Sequence, residues 1–225
     1  MSPRDCQSVS KKAILRRISQ ATGRSVFPEN DSPFPVHIQI HSDVARVMVN
    51  TSGPSLSRRG YRTWNGEAPL RETLAAALVE LSPWRPGQPL HDPCCGTGPI
   101  LVEAAFRAGN IAPGLRRSFA MESLKFFSSL DFSVLRSELN SRVRYSGITG
   151  ISGSDVSRAS LALAERHLRQ AGLDPASVQL ACTPLQELQL KAENGVFICN
   201  PPYGERLGDQ KECRALYRDL WMLKE

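Results

Sequence analysis

Residues 89–105 read PLHDPCCGTGPILVEAA, and this stretch decides the fold class. We predict a short strand that ends at Asp92, a turn that contains Gly96 and Gly98, and a helix that begins at Pro99. Glycines let the backbone of such a turn approach a ligand closely, and the first turn of the helix offers free N–H groups. A glycine turn that binds nothing is the simpler alternative.

Strand and helix patterns alternate on both sides of this turn. Strands are predicted at 147–155, 177–181 and 195–199. Helices are predicted with two apolar faces, one formed by Leu70, Leu74, Leu78 and Leu81, and one formed by Leu161, Ala164, Leu168 and Ala171. The run GVFIC at 195–199 is apolar throughout, as in a parallel strand that is covered on both faces. This order predicts an α/β fold with a doubly wound, Rossmann-like sheet.

The N-terminal quarter has a different character. Residues 8–21 show a helical pattern with Lys11, Lys12, Arg16 and Arg17 between the apolar positions, and two short strands follow at 36–40 and 44–49. The chain carries a net charge of +6, and the whole excess falls within residues 1–62. This asymmetry favours contact with a polyanion, although a solvated basic face is an equal alternative on charge alone. Residues 50–66 are rich in turn formers and predict a linker.

Composition excludes several classes of protein. No apolar run reaches the about 18 residues of a membrane span, and the N-terminus lacks the apolar core of a signal peptide. The six cysteines show no metal-site spacing and form a poor disulfide framework. We therefore expect a cytoplasmic protein with no membrane partner and no metal.

The acidic residue at the end of the first predicted strand of the sheet indicates which charge the ligand should carry. Asp92 would repel a pyrophosphate, and the turn matches neither G-x-G-x-x-G nor a phosphate loop. A cationic ligand suits it better. S-adenosylmethionine carries a sulfonium and an ammonium group, and D-x-x-x-G-x-G is typical of the domains that bind it. Asp155 ends the next strand and could hold both ribose hydroxyls, but it lies much farther from Asp92 than the about 20 residues of a dinucleotide fold. An elaborated insertion over about 107–148 would reconcile the two.

The sequence N-P-P-Y at 200–203 directly follows the last strand. Two prolines restrict the backbone, so that Asn200 and the carbonyl of Pro201 can accept from one exocyclic amino group while Pro202 holds the turn. Tyr203 can stack on an extruded base or amide. With the turn at 92–98, this motif favours a methyltransferase that acts on an amino group.

These segments together resemble a known family. NTSGPSLSRRGYR at 50–62, the long run at 68–105, NIAPGLRRSF at 110–119 and NPPYGERLG at 200–208 are similar to the bacterial guanine-N2 methyltransferases of 23S ribosomal RNA. The resemblance implies S-adenosyl-L-methionine as cofactor, with Asp92, Gly96, Gly98 and Asp155 as cofactor-binding residues and Asn200, Pro201, Pro202 and Tyr203 as the catalytic clamp.

The resemblance also implies the domain organisation. CQSVSKKAI at 6–14 is similar to the later part of a THUMP domain, which binds RNA. We therefore expect a partial THUMP-like α+β piece and linker over 1–60 and a Rossmann-like methyltransferase domain over 61–225, both shorter than in the family. RNA contacts are expected from Lys11, Lys12, Arg16, Arg17, Arg58 and Arg59. The third strand departs from the family, because Thr183 and Pro184 stand where an acidic residue near the adenine is usual. Weaker cofactor binding, or substitution by Gln186 or Glu187, is the expectation that follows.

Other functions stay open at this point. A transfer RNA guanine-N2 methyltransferase has the same architecture, and a protein glutamine methyltransferase also uses N-P-P-Y, although the basic N-terminus argues against a protein substrate. An inactive RNA-binding fragment of such an enzyme is the alternative outside catalysis.

Overall fold

The computed structural model describes residues 2–27, 35–62, 70–189, 194–202 and 210–222, except for the side chains of 210–213. The chain forms two compact units. The first contains residues 1–55 and 119–130, and the second contains residues 56–118 and 131–225. No helix in the described ranges is long and apolar enough to cross a membrane.

The helices and strands alternate after an α-β-β beginning. The helices are α1 Pro3–Thr22, α2 Glu72–Leu81, α3 Pro99–Ala108, α4 Phe132–Ser141, α5 Arg158–Gln170 and α6 Gln210–Met222. The strands are β1 Val36–His41, β2 Val44–Val49, β3 Leu90–Asp92, β4 Ile151–Asp155, β5 Val178–Cys182 and β6 Val196–Phe197.

The first unit is built from a capped helix and a hairpin. Ser2 and Asp5 form a capping box at the start of α1, and Gly23 ends the helix in the left-handed conformation (φ 71°). β1 and β2 pair antiparallel, with Val36 opposite Val49. None of the described residues of α1 is buried, and both strands are mostly exposed. The helix predicted over 8–21 is confirmed and begins five residues earlier than expected.

Part of the insertion before β4 belongs to the first unit. The predicted elaboration is confirmed, because three short 3₁₀ turns and α4 lie between α3 and β4. The Met121 N–H donates to the Thr51 carbonyl (2.9 Å), and the Gly53 backbone lies close to Ala120. Residues 119–130 therefore extend the N-terminal unit from a position inside the methyltransferase sequence.

The second unit contains the parallel sheet that the sequence predicts. Its four strands are ordered β5-β4-β3-β6, and every neighbouring pair is parallel. The chain moves from β3 outward to β5 and then returns to the other side of β3 as β6. Such a reversal is the switch point at which open α/β sheets bind ligands, outside the carboxyl ends of the strands. Asp92 and Asp155 stand at this edge.

One predicted helix face is confirmed and another is confirmed only in part. Leu161, Ala164, Leu168 and Ala171 are all buried in the core, as predicted. Of the second face, Leu70 and Leu78 pack against the core, whereas Leu74 and Leu81 are exposed, and the buried residues of α2 are Glu72, Ala75 and Val79. Small side chains at Ala75 and Val79 allow close packing on α3, and Glu72 faces inward because a buried arginine meets it there.

The predicted linker is partly core. Tyr61 is 1% exposed and packs edge-on against Phe106, with ring centroids 6.0 Å apart. Gly60 adopts φ 98°, and a Cβ atom there would lie 2.6 Å from the Arg116 carbonyl oxygen, so the close approach of the two backbones requires glycine. The turn formers at 56–62 therefore serve a packed segment of the second unit.

The last strand also differs from its prediction. Ile198 is buried, but Phe197 is 41% exposed, so the strand is not covered on both faces by the described residues. The apolar run at 195–199 predicted the strand correctly and its environment wrongly.

Candidate active site

Asp92 is the most deeply buried acidic group of the site. The residue is 1% exposed, and its Oδ1 accepts from the Cys94 N–H (3.1 Å). Burial, which is the largest cause, and the nearby charge of Asp155 together raise the pKa of Asp92 to about 8, although the hydrogen bond from Cys94 lowers it. No basic side chain within the described ranges forms an ion pair with Asp92. A cationic group in contact with Asp92 would restore its charge.

The turn after Asp92 has the conformation that its glycines allow. Gly96 and Gly98 both adopt left-handed φ angles, 52° and 78°. The Cys95 N–H donates to the Ser154 carbonyl, which anchors the turn to β4, and Gly98 is the N-cap of α3. The first N–H groups of α3 have no partners within the helix, so they face the carboxyl edge of the sheet as potential donors.

Asp155 holds this turn from the neighbouring strand. Its Oδ2 accepts from the Gly96 N–H and its Oδ1 from the Ser157 N–H, both at 2.8 Å. Each carboxylate oxygen keeps a second acceptor site. Asp155 can therefore position the turn and still accept from two hydroxyls of a ligand.

The Asn-Pro-Pro segment meets the two aspartates in one cleft. The Ile198 N–H donates to the His91 carbonyl, and this bond joins β6 to β3 just before Asn200. Asn200 and Pro202 line a cleft of about 650 Å³ together with Asp92, Gly96 and Asp155. Pro201 lies between them and is half-buried. Tyr203 lies outside the described residues.

Several residues of the cleft were not predicted from the sequence. They come from the turn, from two helices and from the end of β5, and they are Thr97, Ser160, Leu163, Leu185 and Leu216. Thr183 and Gln186 also line the cleft, whereas Glu187 is exposed and does not. The Gln186 amide donates to Asp219 of α6 (2.7 Å). Leucines at helical spacing carry no signal that separates a cleft wall from a core.

The basic residues predicted to bind RNA fall into two groups. Lys11, Lys12, Arg16 and Arg17 lie on the surface of α1, and Arg58 is exposed. Arg59 is different, because its Nε donates to Glu103 Oε1 (3.2 Å) and its side chain is 14% exposed. The Glu103 carboxyl is almost fully buried, and its pKa is raised by burial to about 7 although Arg59 lowers it. This ion pair occupies the guanidinium, so the structure places Arg59 in the packing of the second unit.

The parts of the chain that the structure describes contain no group of three or more His, Cys, Asp and Glu side chains arranged to hold an ion.

Comparisons with known proteins agree with this fold. The parallel sheet is that of an S-adenosylmethionine-dependent methyltransferase. Residues 59–223 match the family model described as "RMKL-like, methyltransferase domain". The chain belongs to this methyltransferase family.

The chain is similar to a ribosomal RNA methyltransferase and to two solved structures. The chain is 37% identical over 217 residues to the "Ribosomal RNA large subunit methyltransferase K/L" of Photobacterium profundum. Two solved structures superimpose closely. One is a predicted N6-adenine-specific DNA methylase from Listeria monocytogenes (TM-score 0.91, 37% identity, 99% of this chain), and the other is SMU.472 complexed with SAH (TM-score 0.85, 40% identity, 97% of this chain). The chain spans 30% of the length of the first relative and 58% of each solved chain.

Proposed function

We propose that this protein transfers the methyl group of S-adenosylmethionine to the exocyclic N2 amino group of a guanine in 23S ribosomal RNA. The observation that carries the proposal is the single cleft lined by Asp92, Asp155, Asn200 and Pro202. It brings a site for a cationic cofactor next to a pair of acceptors for an amino group.

The cofactor half of the cleft fits its ligand by charge. The Asp92 carboxyl is buried without a cation among the described residues, and the ammonium of the methionine moiety supplies one. Gly96 and Gly98 carry no side chains, so the backbone of the turn at these two positions can lie against the methionine moiety. Asp155 has two acceptor sites left for the ribose hydroxyls.

The acceptor half of the cleft fits a planar amino group. An exocyclic amine has two N–H donors, and the Asn200 side-chain oxygen and the Pro201 carbonyl can accept one each. With both hydrogens held, the nitrogen lone pair turns toward the methyl group. The new N–C bond forms as the C–S bond breaks, the sulfonium becomes a neutral thioether, and the amine later loses one proton to water. Catalysis of this kind depends on position and needs no strong general base.

The basic surface of α1 suits an RNA substrate. Lys12 and Arg16 are four residues apart and share one helix face, with Lys11 and Arg17 beside them. Exposed cations of this kind bind phosphates without reading the sequence. We assign this role to the four residues of α1 and to Arg58, and we assign Arg59 to its ion pair with Glu103. The first unit would act as a THUMP-like RNA-binding module, and a ribosomal RNA substrate places the protein in the cytoplasm.

Label transfer tests the proposal. The protein is incubated with methyl-tritiated S-adenosylmethionine and either total ribosomal RNA or transfer RNA, and the RNA is then digested to nucleosides. N2-methylguanosine in 23S RNA is the expected product. Label found only in N2-methylguanosine of transfer RNA would show that the substrate is transfer RNA and not 23S RNA. Label in N6-methyladenosine would show that the target base is adenine and not guanine.

Asn200→Ala separates the clamp from the cofactor site. This variant should lose methyl transfer and still bind SAH, because Asn200 contacts the amine and the cofactor is held at Asp92 and Asp155. Full transfer by Asn200→Ala would refute the clamp. RNA binding without any methyl transfer by the wild type, although SAH binds, would identify an inactive RNA-binding protein.

A further inference from the structure

His167 is a buried polar residue on an apolar helix face. It lies on α5 between Ala164 and Leu168 and is 1% exposed. A buried polar group without a hydrogen bond destabilises a fold, so the bonds that the His167 side chain makes are informative. The sequence motifs of the site do not include it.

The one hydrogen bond that the described residues give to the His167 side chain leads to the cofactor turn. Its Nδ1 lies 3.0 Å from the carbonyl oxygen of Thr97, between Gly96 and Gly98. A carbonyl oxygen can only accept, so Nδ1 must carry the proton and donate. Nε2 has no hydrogen-bond partner among the described residues. Burial lowers the pKa of His167, which keeps the ring neutral and limits it to this single N–H.

With this bond, both polar groups of the peptide between Thr97 and Gly98 are hydrogen-bonded. The Gly98 N–H donates to the Cys95 carbonyl (2.8 Å), and the Thr97 oxygen of the same peptide accepts from His167. The next residue of the same helix face, Ala164, packs against Gly98, where an added Cβ would lie 3.1 Å from the Ala164 Cβ. The plane of the 97–98 peptide is therefore fixed at both ends by α5 and by the turn itself.

Rigidity matters here because glycines flank Thr97 on both sides. Gly96 and Gly98 have access to more backbone conformations than any other residue, so the peptide between them can rotate at little cost unless something holds it. Rotation would redirect the N–H groups at the start of α3, which face the cleft. A turn that is fixed before the ligand arrives loses less entropy on binding.

We infer that His167 is a positioning residue for the cofactor turn, which acts by donating its Nδ1 proton to the Thr97 carbonyl. The inference rests on the proposed cofactor site. The inference gives α5 a role in cofactor affinity through a residue that lies outside the sequence motifs lining the cleft.

Three substitutions separate the hydrogen bond from packing. His167→Leu keeps an apolar side chain of similar size and removes the donor. His167→Asn keeps a donor at the same distance from the Cβ as Nδ1. Leu168→Ala removes core volume from the same helix without contact with Thr97, and it controls for general destabilisation.

SAH affinity by calorimetry is the readout, measured below the unfolding transition of each variant. We expect His167→Leu to weaken binding by about threefold to tenfold, the range for one lost hydrogen bond. His167→Asn should bind nearly as the wild type does, and Leu168→Ala should unfold at a lower temperature with unchanged affinity. Equal affinity of His167→Leu and wild type would overturn the inference, and so would equal losses in His167→Leu and Leu168→Ala. Failure of the wild type itself to bind SAH would refute the proposed cofactor site instead.

The tautomer of His167 provides a test that needs no variant. Nitrogen NMR of the wild-type protein should show a protonated Nδ1 and a bare Nε2. The opposite tautomer would place a lone pair against the Thr97 oxygen and would overturn the inference even if the leucine variant failed to fold.

Discussion

Acidic side chains lie in two regions of the second unit. In one region they pair with arginines, and in the other they have no basic partner among the described residues. Around the RRGYR segment, Glu72 faces Arg62 (3.4 Å) and Glu103 faces Arg59 (3.2 Å). At the carboxyl edge of the sheet, Asp92 has no basic partner among the described residues and Asp155 bonds only to backbone N–H groups.

This difference distinguishes the acidic residues that stabilise the fold from those that bind the ligand. A buried carboxylate with an arginine has its counter-charge within the fold, and removal of either partner leaves an uncompensated charge. A buried carboxylate without one destabilises the unliganded fold and gains from a cationic ligand. The first arrangement holds the unit together, and the second marks the binding site.

The largest expected effect is on the paired region. Glu72→Gln leaves the buried guanidinium of Arg62 without its carboxylate and should reduce the free energy of unfolding by about 3–5 kcal/mol. SAH affinity of the folded protein should not change. Chemical denaturation and calorimetry measure the two quantities. A double variant, Arg62→Met with Glu72→Leu, removes both charges and should recover most of the stability. A loss in the double variant as large as in Glu72→Gln would contradict the role of the pair.

Asp92→Asn should show the reverse pattern. Without the carboxylate, the ammonium of the ligand loses a charged partner, and SAH binding should weaken by about 1.5–3 kcal/mol. The unliganded variant should unfold at the same temperature as the wild type or higher at pH 7.5, because a neutral amide is easier to bury. A loss of both stability and SAH binding in Asp92→Asn would show that Asp92 stabilises the fold, as Glu72 does, and would contradict this account.

Asp155→Ala should weaken SAH binding over a range that begins lower than that of Asp92→Asn, because the hydroxyls that Asp155 would hold are uncharged. The substitution removes the acceptor of the ribose hydroxyls and the bond to the Gly96 N–H, and about 1–3 kcal/mol of SAH binding should be lost. Asp174→Ala offers a control, since Asp174 caps the 3₁₀ turn before β5 and lies outside the cleft. If calorimetry shows that Asp155→Ala binds SAH as tightly as the wild type does, Asp155 does not bind the ribose hydroxyls.

The stability of the unliganded protein should depend on pH through Asp92. Its pKa is raised from 3.8 to about 8 in the folded state, so the folded protein binds this proton more tightly than the unfolded chain does. The contribution of Asp92 to stability therefore falls as pH rises from about 4 to about 8. Glu103, with its pKa raised to about 7, acts in the same direction. The difference in melting temperature between wild type and Asp92→Asn should widen over this range, and a constant difference would contradict the burial of an unpaired carboxyl.

The sequence predicts the binding edge better than the supporting pairs. The glycine turn, the strand-final aspartates and the Asn-Pro-Pro segment are local patterns, and the sheet brings them together as expected. The α5 face was also predictable, because Leu161, Ala164 and Leu168 follow the helical period. These features depend on neighbours within a few residues.

The rest depends on partners far away in the chain. The sequence predicts that Arg59 contacts RNA and that residues 50–66 form a linker, since nothing local shows that Glu103 meets Arg59 or that Glu72 meets Arg62. Leu74 and Leu81 of α2 are exposed, while Glu72 of the same helix is buried against Arg62. His167 occupies a core position of α5, and only the fold shows that its donor faces Thr97.

Proton release on cofactor binding tests the central claim most directly. At pH 6.5 the Asp92 carboxyl of the unliganded protein is protonated, since its pKa is about 8, whereas an α-amino group with an ordinary pKa of about 7.7–8.0 is already charged. Calorimetric titration with S-adenosylmethionine in two buffers of different ionisation enthalpy gives the number of protons exchanged. We predict the release of nearly one proton for each cofactor bound, as Asp92 ionises against the ammonium group. Binding with no proton release would contradict the claim that a buried, unpaired carboxyl receives the cofactor.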